Sequence, residues 1–126
     1  MGMTLNELAK EIHENAVAHG FWDEDRPLSE VLMLIVSELA EALEEARAGD
    51  KMNGRISCMH YYSGEGYVSS APTNCCKKPE GIVVEVADAL IRILDWCGHE
   101  GIDIEGIVRE KHEYNKTRPY KHGKKF

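Results

Sequence analysis

The chain has 126 residues and a mass of 14.2 kDa, a length suited to one domain. Hydrophobic residues make up 43% and charged residues 29%, which excludes a disordered chain. With 15 Lys and Arg against 22 Asp and Glu, the net charge of -7 argues against non-specific nucleic-acid binding.

The first predicted helix spans Thr4 to His19. Thr4 and Glu7 have capping-box spacing, and Leu5, Leu8, Ile12 and Ala16 form one apolar stripe. Gly20 ends it. Phe21 to Pro27 is a short connection, aromatic and charged. The second helix runs from Leu28 to Ala48, with Leu28, Leu32, Ile35, Leu39, Ala42 and Ala46 three and four residues apart, and stops at Gly49-Asp50. Helical periodicity then vanishes between Gly49 and Pro79. Ile56 to Tyr62 and Gly66 to Ser70, around Ser63-Gly64-Glu65, have the pattern of a short hairpin. A loop of this length is uncommon in a compact domain.

The third helix starts near Pro79-Glu80 and runs to Cys97, with Gly98 and Gly101 expected to close it. Asp103 is a good N-cap for the fourth, and Ile102 and Ile107 have staple spacing. That helix ends near Lys116, because Pro119 disfavours helix at Arg118. The tail from Tyr120 to Phe126 is basic. These elements predict an all-α fold, a four-helix bundle-like single domain over residues 1–126 with an irregular insertion at 49–79.

The longest strictly apolar run, Val31 to Val36, is too short to cross a membrane. Met1 to Leu8 lacks a basic region followed by an apolar stretch, so a cytoplasmic protein is expected. Cys58, Cys75, Cys76 and Cys97 are then expected as thiols. Cys58, His60, Cys75 and Cys76 match no common zinc spacing.

The second and third helices carry the chemistry. From Val31 to Leu43 apolar residues fall on nearly every face, which predicts burial on most sides. Glu38 and Glu41 nevertheless sit there at i and i+3, on one face. Ile82 to Ile91 repeats the pattern with Glu85 and Asp88, and Arg92 and Asp95 continue that face. Buried carboxylates close together repel and need compensation. A hard divalent cation, Mg²⁺ or Mn²⁺, supplies it and also binds phosphates. Salt bridges from Arg92 and Arg47 are the competing account, with two arginines against four acids. On the fourth helix Lys111, Tyr114, Asn115 and Arg118 share a face suited to phosphate oxygens; the competing account is a solvated last turn. Trp22 lies off any helix stripe, where an aromatic ring can stack on a base or plug the bundle end.

These residues resemble a known family. The MazG-like all-α nucleoside triphosphate pyrophosphohydrolases have a motif EExxE, a spacer, then ExxD. Ser37-Glu38-Leu39-Ala40-Glu41 and Glu85-Val86-Ala87-Asp88 match it, with serine in place of the first glutamate. His19-Gly20-Phe21-Trp22-Asp23, Ala87 to Asp95 and Lys111 to Tyr120 also resemble MazG-like flanks. The resemblance implies Mg²⁺-dependent hydrolysis of a (deoxy)nucleoside triphosphate to the monophosphate and pyrophosphate. It implies Glu38, Glu41, Glu85 and Asp88 as metal ligands, with Glu38 or Glu41 as the base. Lys111, Asn115 and Arg118 would bind phosphates, and Trp22 and Tyr114 would lie near the base or sugar. It further implies a homo-oligomer, dimer or tetramer. Two other readings stand beside it. A di-iron or di-manganese oxidase needs Glu-x-x-His, which is missing here. A non-catalytic oligomeric helical module would pair the acids with arginine.

Overall fold

In a computed structural model the described residues are 2–48, 60–63, 66–69 and 81–125, with backbone alone described at 60–63 and 66–69. Four α-helices account for most of them: α1 (Leu5–Ala18), α2 (Leu28–Arg47), α3 (Ile82–Glu100) and α4 (Ile104–Lys116). Between α2 and α3, β1 (His60–Ser63) and β2 (Gly66–Ser69) pair antiparallel, with His60 opposite Ser69 and Ser63 opposite Gly66. The expected hairpin is therefore present over its central residues, while Ile56 to Met59, Cys58, Cys75 and Cys76 lie outside the described residues. No helix among the described residues is long and apolar enough to cross a membrane.

The chain divides into two compact units, 1–23 with 94–126 and 24–93, and the boundary falls within α3. The first unit contains α1, the last turns of α3, and α4. The Thr4 hydroxyl accepts from the Glu7 amide, and the Glu7 carboxylate accepts from Thr4 in return, completing the capping box. The start of α1 is also tied to the start of α4. The Leu5 amide donates to Glu105 Oε1 at 2.8 Å, and the Glu105 amide donates to Asn6 Oδ1 at 3.0 Å. Asn6 Nδ2 donates to Asp103 Oδ1 at 2.7 Å, while Asp103 caps α4 through the Gly106 amide. Each helix start thus satisfies amides that its own ladder leaves open. The Asn6 hydrogen bond, then the Gly106 amide, hold the Asp103 carboxyl below its ordinary value.

Gly98 does not close α3; the helix runs through it to Glu100 and turns at Gly101, where φ is +69°. The reason is steric. A Cβ at Gly98 would lie 2.7 Å from both the Ala9 carbonyl oxygen and the His13 Cβ. The glycine lets α1 approach α3, and Ala9, Leu94 and Cys97 fill that contact as buried residues. Burial pushes the Cys97 thiol up, so it behaves as a small apolar group.

The second unit contains α2, the hairpin and the first turns of α3. Val31, Ala42, Ile82 and Ala89 are buried there. The expectation that α2 is buried on most sides does not hold in the single chain. Leu28, Leu32, Val36, Leu39 and Leu43 run along one side of α2 at steps of four and three, and each is about half exposed. Val86 and Leu90 on α3 are similarly exposed.

Candidate functional site

Helical spacing places Glu38 and Glu41 one turn apart on α2, and α3 brings Glu85 to them. One carboxylate oxygen from each of the three lies within 4.8 Å of the others. Glu38 and Glu85 are only 8% exposed, whereas Glu41 is exposed. Two carboxylates are therefore inside the unit and the third stands at its surface.

Their electrostatics differ. Burial pushes the Glu85 carboxyl up to about 7, and the hydrogen bond and charge of Glu41, then the charges of Asp88 and Glu38, push the same way. Burial also works to raise Glu38, but the Arg92 hydrogen bond and charge, with hydrogen bonds to Glu41 and Glu85, leave it below its ordinary value. The bond is short: Arg92 Nε donates to Glu38 Oε1 at 2.8 Å. Of the two arginines expected as competitors for the acids, Arg92 thus reaches Glu38. Arg47 instead lies 3.7 Å from Glu44, one turn away on its own helix and largely exposed.

Asp88 is half-buried and close enough for its charge to raise Glu85, but it is not in the group of three. Ser37 does not extend the acid set. Its hydroxyl donates to the Leu34 carbonyl at 2.6 Å, back along its own helix. The donor set is thus all carboxylate oxygen, partly buried, and among the described residues it is compensated by the guanidinium of Arg92. That chemistry fits a hard divalent cation such as Mg²⁺ or Mn²⁺ and does not suit a soft one.

The remaining predicted residues belong to the first unit. On α4 the Lys111 ammonium lies 4.7 Å from the Tyr114 ring centre and the Arg118 guanidinium carbon lies 5.8 Å from it. The face predicted from spacing therefore exists, with two cations held over one aromatic ring. Asn115 is half-buried, and its Oδ1 is buried with no hydrogen-bond partner among the described residues.

Trp22 stands in a cluster the sequence did not suggest. Its indole stacks on His99 at 3.8 Å and 11°, and its Nε1 donates to both Asp95 oxygens at 3.0 and 3.1 Å. His13 Nδ1 lies 2.8 Å from Asp95 Oδ1, and its ring meets Trp22 and His99 edge-on. His13 and His99 carry no periodic signal. The usable clue was Gly98, a small residue beside them that permits close approach of α1.

Compared with family models, with characterised proteins and with solved structures, the chain finds no match in any of the three.

Proposed function

We propose that the protein is a Mg²⁺-dependent nucleoside triphosphate pyrophosphohydrolase of the MazG-like kind, cleaving between the α and β phosphates. The observation that carries this reading is the convergence of Glu38, Glu41 and Glu85, with two of the three buried. Such an arrangement is costly for a merely structural cluster and well suited to a divalent cation. When bound, the cation supplies charge neutralisation at the phosphates and at the pyrophosphate leaving group. Glu38, Glu41 and Glu85 would hold it, with Asp88 as the fourth acid of the motif. Glu41 is the best base of the set: it is exposed, whereas Glu38 is held by Arg92. Its carboxylate would take a proton from the attacking water.

Lys111, Asn115 and Arg118 would bind phosphate oxygens, and Tyr114 and Trp22 would lie near the base or sugar. The pairing of Trp22 with His99 and Asp95 leaves it with a second role as packing. The half-exposed apolar stripe on α2 supports a homo-oligomer in which a second copy covers Leu32, Val36 and Leu39. A cytoplasmic setting and a part in clearing unwanted nucleotides belong to the same reading.

The test is release of pyrophosphate and monophosphate from a panel of normal and modified nucleoside triphosphates, with Mg²⁺, with Mn²⁺ and with chelator. Metal-dependent release, lost by about 100-fold or more in Glu38→Gln and Asp88→Asn, supports the reading. No release from any triphosphate by folded protein sinks it. The non-catalytic helical module would then stand, favoured by the Arg92–Glu38 bridge and the exposed stripe on α2.

A further inference from the structure

The carboxylate group carries a cation of its own. Arg92 on α3 reaches Glu38 on α2, and the pair is sheltered, with the Glu38 side chain 11% and the Arg92 side chain 34% exposed. A guanidinium keeps its charge at any pH a folded protein meets, and its planar donors fix the carboxylate they bind. Glu38 Oε1 is therefore engaged by a permanent positive charge.

A carboxylate that bridges two cations offers one oxygen to each. With Oε1 held by Arg92, and Glu41 and Glu85 hydrogen-bonded to the same carboxylate, Glu38 has fewer lone pairs left for metal than a free carboxylate. The neighbouring position adds nothing, because Ser37 is a hydroxyl bonded to Leu34 on its own helix. Charge points the same way. One guanidinium and one divalent cation nearly balance the four acids Glu38, Glu41, Glu85 and Asp88, whereas a second divalent ion would leave the group net positive at close range.

Resting on the reading that this group binds a divalent cation, we propose that Arg92 is a positioning residue that holds Glu38 Oε1 and restricts the site to a single divalent ion. Arg92 already supplies one positive charge at Glu38. Removing it frees an oxygen and a charge together.

The test uses the full chain and Mn²⁺ alone, followed by calorimetric titration and by paramagnetic resonance. The wild type should bind one ion per chain and give the spectrum of an isolated Mn²⁺ at saturation. Arg92→Gln should take a second ion. In chelator it should melt below the wild type, and Mn²⁺ should raise its melting temperature more than it raises that of the wild type. Arg92→Lys, which keeps the charge, should retain single occupancy with affinity changed by about 10–100-fold. A glutamine variant that binds one ion at wild-type affinity overturns the proposal and leaves the metal reading intact. A spin-coupled pair in the wild type overturns it too, whether or not the variant folds. Failure of the wild type to bind any Mn²⁺ overturns this proposal and the metal reading together.

Discussion

Two carboxylates on α3 show how differently one helix can treat an acid. Asp95, in the first unit, receives the Trp22 indole N–H on both oxygens and lies against His13. Glu85, in the second, has acids for neighbours, and burial with their charge lifts it to about 7. Asp95 is satisfied by the protein's own donors. Among the described residues Glu38, Glu41 and Glu85 meet one guanidinium, that of Arg92 on Glu38. A carboxylate that the fold has already satisfied is structural, and one left short of positive charge is the one that the proposed cation would serve. The contrast can be broken at each end.

The largest effect should come from Glu41, the exposed acid of the group. Glu41→Gln should lower the turnover number by about 10²–10⁴-fold, the usual worth of a general base. Its melting temperature should stay near the wild-type value, since an exposed side chain contributes little to packing. A variant with near-normal turnover would remove Glu41 from the chemistry and return the role to Glu38.

Next in size is the response of the metal-free protein to pH. The Glu85 carboxyl titrates at about 7 in the fold against an ordinary 4.5. A raised folded value means that the fold favours the protonated acid. Its stabilising contribution is full below about 4.5, falls as pH rises, and is gone above about 7. The loss is on the order of 3 kcal/mol at most. Glu38, held low by Arg92, acts in the opposite sense and below the ordinary carboxylate range. Chemical denaturation in chelator should therefore show stability dropping between about pH 4.5 and 7. Glu85→Gln should flatten that drop, and saturating Mn²⁺ should raise stability most at the alkaline end. A flat or rising profile for the chelated wild type would show that the fold does not favour the protonated form of Glu85.

Asp95 supplies the opposite case. Asp95→Leu removes the acceptor of the Trp22 indole and the partner of His13, and should cost about 1–3 kcal/mol. The loss should be the same with and without Mn²⁺, because no cation is involved. A loss that Mn²⁺ reverses would make the Trp22 cluster part of the metal chemistry and erase the distinction between the two acids.

How far these sites were legible depends on how local their causes are. Capping by Thr4 and Asp103 and the one-turn spacing of Glu38 and Glu41 follow from helix geometry alone and are readable, whereas the arrival of Glu85 rather than Asp88 beside them depends on how α3 meets α2. The choice of Arg92 over Arg47 was not, because which arginine reaches Glu38 depends on how α2 and α3 meet. Gly98 differs from its local reading for a related reason. Locally a glycine near a helix end reads as a stop, yet its Cα faces Ala9 and His13 on α1. The Trp22, His13, His99 and Asp95 cluster draws on three parts of the chain, of which only Asp95 and His99, four apart on α3, share helical spacing. The apolar run on α2 was visible, but a sequence cannot tell burial within a chain from burial between copies; in the single chain Leu32, Val36 and Leu39 stay half exposed.

The smallest effect separates stability from binding at Asn115. Its Oδ1 is buried without a hydrogen-bond partner among the described residues. An unpaired buried acceptor costs folding energy, while replacing it with an apolar group of similar shape is close to neutral or stabilising. Asn115→Leu should therefore leave stability unchanged or raise it by up to about 1 kcal/mol. If the amide is kept for substrate, the KM for the triphosphate should rise several-fold in the same variant. Stability and binding would then move in opposite directions, as expected where a fold tolerates a cost for function. In the first unit this would set Asn115 apart from Asp95, where removal of the carboxylate lowers stability. Lower stability with an unchanged KM would instead make Asn115 a packing residue, and the cationic face of α4 would lose its amide.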